Sequence, residues 1–186
     1  MKSKGNSKRV EDLNFWTGFE DNVPQEIRDL IFEQYLGEDL YVYCDASIKN
    51  RLQSVACIFV HNASTVLIKK MVYPPPDCLD KSFFGEMGAV VYALKNFSKH
   101  MMPSCKSVTI CSDVSSMEQW VDGRASFKNH NLQKMQNEMI LLYEKVKLQN
   151  PDISIEVKYL LEEHKNYHPF YKAVHNAARS VLRRNR

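Results

Sequence analysis

Residues 40–47 have the sequence Leu-Tyr-Val-Tyr-Cys-Asp-Ala-Ser, in which a run of apolar and aromatic residues leads directly into Asp45. Residues of this kind are enriched in β-strands, so the run predicts a strand over residues 40–44. An isolated carboxylate that follows an apolar strand is costly to bury. Other carboxylates at matching places along the chain would therefore indicate a site rather than a chance position.

The segments around this strand predict further strands and helices. Hydrophobic runs bounded by turn residues indicate strands, and apolar residues spaced three and four apart indicate helices. The predicted order is β-β-β-α-β-α-α-β-α, which favours an α/β fold with a mixed five-stranded sheet, three antiparallel strands followed by parallel additions, flanked by helices. The later strands are expected at residues 54–60, 65–72, 107–113 and 154–160, and the helices at 82–100, 117–121, 132–148 and 170–184.

Residues 1–38 are predicted to form an N-terminal extension, and residues 39–186 the main domain. The lead over residues 1–13 is expected to be disordered. A short amphipathic helix is expected between Pro24 and Gly37, since proline favours helix starts and glycine helix ends. The aromatic side chains before this helix are Phe15, Trp16 and Phe19. We expect them to pack on the main domain. The alternative is that residues 14–37 bind a protein partner.

Length and composition restrict the class of protein. The chain has 186 residues, of which 44% are hydrophobic, enough for one substantial core. Its apolar runs all fall short of the ~20 residues that cross a bilayer, and no apolar segment follows the basic N-terminus as in a secretory signal. The five cysteines are odd in number and form no CxxC pair, which indicates free thiols in a reducing compartment. We therefore expect a cytoplasmic protein without a membrane segment.

Charge is unevenly distributed along the chain. Residues 1–10 and residues 179–186 each carry four basic side chains and no acid. Setting those eight aside leaves 17 lysines and arginines against 22 acids. Basic ends on an acidic body suit a protein that contacts phosphates at its margins, with simple solubilising termini as the alternative.

Three acids occupy places where an ordinary surface carboxylate is not expected. Asp45 follows the first predicted strand, Asp113 ends the fourth, and Glu86 lies beside the apolar face of the predicted 82–100 helix. If these elements are neighbours, the three carboxylates converge, and their mutual repulsion raises their pKa values unless a cation is present. Oxygen ligands suit Mg²⁺ or Mn²⁺. Taken singly, Asp45 could begin a turn, Glu86 could complement a helix dipole and Asp113 could cap a helix.

With these acids in place, the chain resembles the type 1 ribonuclease H family over about residues 39–184. The resemblance implies an RNase H-like fold and a two-metal endonuclease site that hydrolyses the RNA strand of RNA/DNA hybrids. It implies that Asp45, Glu86 and Asp113 bind the metals, and that His175, which aligns with the family's fourth acid, is a further metal ligand that supports the second ion. The matching segments are Tyr-Val-Tyr-Cys-Asp45-Ala-Ser47, Phe-Phe-Gly-Glu86-Met-Gly-Ala-Val-Val-Tyr-Ala-Leu94, Val-Thr-Ile-Cys-Ser-Asp113 and Tyr-Lys-Ala-Val-His175-Asn-Ala-Ala-Arg179.

The resemblance also implies roles outside the acidic group. The family often has a histidine in the loop before the last helix that assists proton transfer or product release, and His164 is the candidate here, with His168 as its competitor. Polar and basic residues are expected to contact nucleic acid, although they could equally form a solvated face. These expected nucleic-acid contacts are Ser47, Lys49, Arg51, Lys128 and Arg179.

Several departures from the family keep other functions open. The substrate-reading asparagines before the helix glutamate are replaced by Ser82-Phe-Phe-Gly85, and the usual glycine after the first aspartate is Ala46. Together with His175, these changes favour a second interpretation, in which the chain keeps the fold as a weakly active or inactive module that binds nucleic acid or protein. A third interpretation is a nuclease of the same fold that acts on DNA or structured RNA.

Overall fold

The computed structural model describes residues 15–16 and 22–183. The predicted disordered lead over residues 1–13 and the aromatic residue Phe19 lie outside these ranges. Along the described chain the helices and strands are α1 (Gln25–Leu36), β1 (Leu40–Lys49), β2 (Leu52–His61), β3 (Ser64–Val72), α2 (Ser82–Asn96), β4 (Ser107–Ser112), α3 (Met117–Val121), α4 (His130–Gln149), β5 (Ser154–Tyr159), α5 (Glu162–Lys165) and α6 (Pro169–Arg183).

The strands form one five-stranded sheet in the order β3-β2-β1-β4-β5. β1, β2 and β3 pair antiparallel through tight turns, whereas β4 pairs parallel with both β1 and β5. This confirms the predicted mixed α/β sheet flanked by helices. Since β1 and β4 run in the same direction, with Tyr43 opposite Cys111, Asp45 and Asp113 each follow two residues later at the same edge of the sheet.

Each face of the sheet is covered by a hydrophobic layer. Val42 and Cys44 of β1 belong to a cluster that includes side chains of α2, α3 and α4. Tyr43, which points to the opposite face because strand side chains alternate, belongs to a second cluster with side chains of α1 and α6. Asp45 shares the α6 face by the same alternation. The central strand therefore carries a carboxylate beneath α6.

Most boundaries differ from the sequence prediction by a few residues, and two differences near the carboxylates are larger in consequence. β1 continues to Lys49, so Asp45 lies inside the strand rather than after it. The reason is the β1–β2 turn, in which Asn50 and Arg51 both adopt positive φ angles, so that pairing continues up to Lys49 and Leu52. The segment before the last helix, predicted as a loop, contains the short helix α5.

The N-terminal helix is part of the packed structure. Ile27 and Ile31 of α1 are buried in the second cluster, where Ile31 has no exposed surface. The indole N–H of Trp16 donates to the backbone oxygen of Tyr167 at 2.5 Å, and the ring of Phe15 lies 5.5 Å from that of Phe170. The expected packing of these two aromatics on the main domain is therefore confirmed. Within the described ranges, none of the helices combines the length and the apolar character that a bilayer span requires.

Candidate metal centre

Asp45, Glu86 and Asp113 come together where β1, β4 and α2 meet. One carboxylate oxygen from each lies within 4.8 Å of the others. Asp45 is only 3% exposed, whereas Glu86 and Asp113 are partly exposed. The convergence predicted from the strand order is therefore present in the structure.

Close packing of α2 against β1 brings Glu86 to the group. A Cβ atom at Gly85 would lie 3.0 Å from Cβ of Ala46 and 3.1 Å from Oε1 of Gln53, so a larger residue would require these neighbours to shift by a few tenths of an ångström. The buried Gln53 amide donates to backbone oxygens of Cys78, Leu79 and Lys81. These bonds fix the segment that leads into α2. The position of Glu86 is thus set by close contacts on both sides.

Burial and repulsion by neighbouring carboxylates dominate the electrostatics of Asp45 and Glu86. Burial and the charge of Asp113 raise the pKa of Asp45 to about 6, although the His175 contact opposes the rise. Burial, followed by the charges of Asp45 and Asp113, raises the pKa of Glu86 well above its usual value. Ionising all three groups in the absence of a cation is therefore unfavourable.

The donor set fits a divalent metal ion. The Oε2 atom of Glu86 is buried and has no hydrogen-bond partner, which is a costly arrangement unless a cation or a donor completes it. Carboxylate oxygens at this spacing are suitable ligands for Mg²⁺ or Mn²⁺. Asp45, Glu86 and Asp113 could therefore hold such an ion.

His175 lies beside this group and contacts one of its members. Its Nδ1 atom is 2.9 Å from Oδ2 of Asp45, and its side chain is 43% exposed. α6 presents this residue above Asp45 because both belong to the same face of the sheet. The structure thus places His175 at the expected corner of the site, bonded to a carboxylate through its ring nitrogen.

Two residues at the site were not anticipated as functional from the sequence. The Tyr171 hydroxyl donates to Oδ2 of Asp113 at 2.8 Å, and Lys165 donates to the backbone oxygen of Asp113 at 3.2 Å. Burial and the bond to Asp113 raise the pKa of Tyr171, so its hydroxyl stays protonated. Burial opposes the charge of Lys165, but the hydrogen bond with Glu162 and the charge of Asp113 outweigh it and raise its pKa.

The two loop histidines differ in their surroundings. His164, on α5, lies with Nε2 4.0 Å from a carboxylate oxygen of Glu163, and its proposed role in proton transfer stays a prediction. His168 is fully buried against the ring of Tyr43 at 4.2 Å. Burial lowers the pKa of His168 to about 3, so it stays neutral at physiological pH. A buried, neutral His168 does not suit the mobile histidine considered as the alternative to His164.

Three of the five expected nucleic-acid contacts share one pocket. Ser47 and Lys49 from β1 and Arg179 from α6 line a cavity of about 210 Å³, which Arg183 also lines. The residues that line this pocket come shortly after Asp45 on β1 and shortly after His175 on α6. The other two expected contacts do not line this pocket. Arg51 lies 4.0 Å from Asp80, and Lys128 is an exposed side chain before α4.

Comparisons with known proteins identify the fold. No family model matches the sequence, and no curated protein matches it. Among solved structures, RNase H1 from the halophilic archaeon Halobacterium salinarum superposes with a TM-score of 0.55 at 12% identity, covering 76% of this chain and 98% of that one. LC11-RNase H1, solved in complex with an RNA/DNA hybrid, gives 0.55 at 11% identity, covering 77% and 99%.

A third structure agrees with these two. The N-terminal RNase H domain of a Mycobacterium tuberculosis protein, solved as a fusion with maltose-binding protein, gives a TM-score of 0.53 at 12% identity and covers 80% of this chain and all of its own length. The likeness extends over whole domains and agrees with the strand order observed here. The chain has an RNase H-like fold.

Proposed function

We propose that this protein is a metal-dependent endonuclease that hydrolyses phosphodiesters, with the RNA strand of RNA/DNA hybrids as its substrate. The observation that carries the proposal is the convergence of Asp45, Glu86 and Asp113 on one point, with the buried Oε2 of Glu86 unpaired. The fold supports it, since one of the similar structures was solved with an RNA/DNA hybrid. The five free cysteines, four of them buried, are in keeping with a cytoplasmic location.

In this proposal the three acids hold Mg²⁺ or Mn²⁺, and His175 fixes the orientation of Asp45 through its ring nitrogen. Bound divalent metal supplies Lewis-acid activation of water and of the scissile phosphate. Tyr171 holds Asp113 in place by donating to one of its oxygens. The products of an in-line attack by water are a 3′-hydroxyl and a 5′-phosphate.

The basic pocket of Ser47, Lys49, Arg179 and Arg183 supplies phosphate contacts away from the reacting bond. Three cations around one cavity, with the Ser47 hydroxyl among them, suit a backbone phosphate of the bound strand. The pocket is reached from the acidic group along both β1 and α6. It can therefore hold one phosphate while another lies at the carboxylates.

A second candidate function is a nucleic-acid-binding module of the same fold with little or no turnover. The observation that favours it is that the chain's own donors already engage two of the carboxylates. His175 contacts Asp45, and both Tyr171 and Lys165 contact Asp113. A substrate or an ion has to compete with these contacts, which favours binding over rapid turnover.

Cleavage assays separate the two candidates. We expect the wild-type chain to cut a labelled RNA/DNA hybrid in Mn²⁺ or Mg²⁺, and Asp45→Asn to lower the rate more than about 100-fold, because losing even the partner of a metal ligand costs up to that much. Asp152→Asn removes an exposed acid before β5 and serves as the matched control. Double-stranded RNA and single-stranded DNA are assayed in parallel. Absence of cleavage on every substrate, with the hybrid still bound, contradicts the nuclease and supports the binding module.

The basic pocket makes a separate prediction about binding. Replacing Lys49, Arg179 and Arg183 together by alanine is expected to weaken hybrid binding for all sequences. It should also reduce the slope of log K against log salt by about 0.7–0.9 for each phosphate that the variant no longer neutralises. Binding is measured by fluorescence anisotropy in an Asp45→Asn background, so that cleavage does not interfere. Lys145→Ala, an exposed lysine on α4, is the control, and an unchanged slope in the triple variant rules out the pocket as a phosphate site.

A further inference from the structure

Lys165 is a covered lysine at the edge of the carboxylate group. Its side chain is only 14% exposed, and its Nζ atom lies 3.9 Å from Oδ2 of Asp113 and 3.2 Å from the backbone oxygen of the same residue. The ammonium group also lies over the ring of Tyr159, 5.4 Å from its centroid. Lysines are rarely covered to this extent unless they are paired. The less exposed of its two carboxylate partners is Asp113.

The remaining contact of Lys165 does not explain its position. Glu162 pairs with the ammonium at 2.6 Å, but the Glu162 side chain is 78% exposed. Ion pairs with an exposed partner contribute little to stability, since water screens them. The contacts with Asp113, whose side chain is 25% exposed, and with Tyr159 are better shielded from solvent than the contact with Glu162. Lys165 is therefore held toward the acidic group from the side of α5.

The formal charges of the site indicate what this ammonium does. The three ionised carboxylates of Asp45, Glu86 and Asp113 carry three negative charges. One divalent ion together with one ammonium balances them. Two divalent ions in addition to Lys165 would leave an excess of positive charge close together, which is unfavourable at distances of about 4 Å. In the protein without nucleic acid, the negative charge of the carboxylates is therefore balanced by one divalent ion together with Lys165.

We propose that Lys165 is a positioning residue that serves as a built-in second cation of the metal centre, held against Asp113, so that the free protein binds a single divalent ion. This inference rests on the proposed metal centre of Asp45, Glu86 and Asp113. It predicts competition, because the ammonium and a metal ion are attracted to the same carboxylate. Removing the ammonium should therefore strengthen metal binding.

The sign of this effect distinguishes the proposal from a purely structural role. If Lys165 only anchored α5, its removal would loosen Asp113 and weaken the metal site. If it acts as a cation, Lys165→Met should bind Mn²⁺ at least about tenfold more tightly than the wild type, or take up a second ion, because a positive charge near the ligands is gone. Lys165→Arg keeps the charge and should retain one ion per chain.

The test is a Mn²⁺ titration followed by electron paramagnetic resonance and calorimetry, which give stoichiometry and affinity without any turnover. Lys158→Met is the matched control, since Lys158 also pairs with a glutamate at 2.6 Å but is 55% exposed. Lys165→Gln provides a second charge-free variant if the methionine variant does not fold. Circular dichroism checks the fold of each.

Each outcome decides for or against the built-in cation. Tighter or additional Mn²⁺ binding in Lys165→Met or Lys165→Gln supports it. Unchanged or weaker binding in these variants, while the wild type binds Mn²⁺ and Asp45→Asn does not, overturns the role of Lys165 and leaves the metal centre intact. If neither the wild type nor the charge-free variants bind Mn²⁺, the metal centre itself is wrong, and the inference falls with it.

Discussion

Replacing Asp45 by asparagine is expected to stabilise the metal-free protein at neutral pH by about 3 kcal/mol. The reason is that burial and the charge of Asp113 raise the pKa of Asp45 from 3.8 to about 6. Each unit of difference between the pKa values in the folded and unfolded states corresponds to about 1.4 kcal/mol. Asparagine keeps the size of the side chain and a hydrogen-bonding partner for His175, but removes the charge that disfavours folding.

The pH dependence has a definite sign. Since the pKa of Asp45 is higher in the folded chain, the folded state binds more protons than the unfolded state between about pH 4 and pH 6. Wild-type stability should therefore fall as pH rises through this range, and the penalty should be complete above pH 6. The advantage of Asp45→Asn should accordingly vanish near pH 4 and be largest above pH 6.

Urea denaturation across pH 4–8 in the presence of a chelator measures this effect. Asp39→Asn is a control of opposite sign: burial opposes its charge, but the backbone N–H groups of Ser107 and Lys106 donate to its carboxylate and lower its pKa. Removing the charge of Asp39 should therefore destabilise the folded chain at pH values above the pKa of Asp39. If Asp45→Asn is less stable than the wild type at pH 7.5 without metal, the carboxylates do not repel one another as the geometry requires.

Metal should reverse the order of stability. A ligand that binds the folded state alone stabilises it by about 4.1 kcal/mol at a thousand times its dissociation constant, which exceeds the advantage of about 3 kcal/mol expected for metal-free Asp45→Asn. Mn²⁺ is therefore expected to raise the melting temperature of the wild type and to leave that of Asp45→Asn nearly unchanged. The same denaturation series, repeated with Mn²⁺, measures this difference.

The second large effect is expected far from the carboxylates, at Ile31. This side chain of α1 has no exposed surface and lies in the cluster shared with α6 and the sheet. Truncating a buried isoleucine to alanine costs about 2–5 kcal/mol because it removes buried surface and leaves a cavity. For a chain of this size, each kcal/mol lowers the melting temperature by about 2–4 °C. Ile31→Ala should therefore melt roughly 4–20 °C below the wild type.

Leu36→Ala provides a control on the same helix, since Leu36 is 40% exposed and its truncation should change stability by less than about 1 kcal/mol. The comparison tests the division of the chain near residue 38. If Ile31→Ala is no more destabilised than Leu36→Ala, α1 is a detachable arm available to a partner. A large difference shows that residues 39–186 depend on α1 for their stability.

The sequence carried enough information to predict the sheet and the three acids. Asp45 and Asp113 each follow an apolar run of sequence, and Glu86 lies next to a helical apolar face, so strand direction and helix periodicity alone bring them close. The end of β1 was misplaced because turn residues with positive φ extended the pairing to Lys49. Propensity does not reveal such a turn when neither residue is glycine.

The contacts around Asp113 were harder to anticipate. Tyr171 lies four residues before His175 on α6, so helical spacing could have placed both on one face. Lys165 gave no comparable signal, because its direction depends on a four-residue helix in a segment predicted as a loop. Neighbouring helical residues differ by about 100° in direction, and this difference separates Lys165, which contacts Asp113, from His164, the predicted residue.

The parallel pairing of β1 with β4 also has a kinetic consequence. It joins positions such as Tyr43 and Cys111, which are far apart along the chain, whereas the three antiparallel strands are joined by local turns. Contacts between distant residues generally form late, since closing the intervening loop costs entropy. The carboxylate group should be absent from any early intermediate that contains the antiparallel strands alone. An ion that binds it would then slow unfolding while leaving the folding rate nearly unchanged.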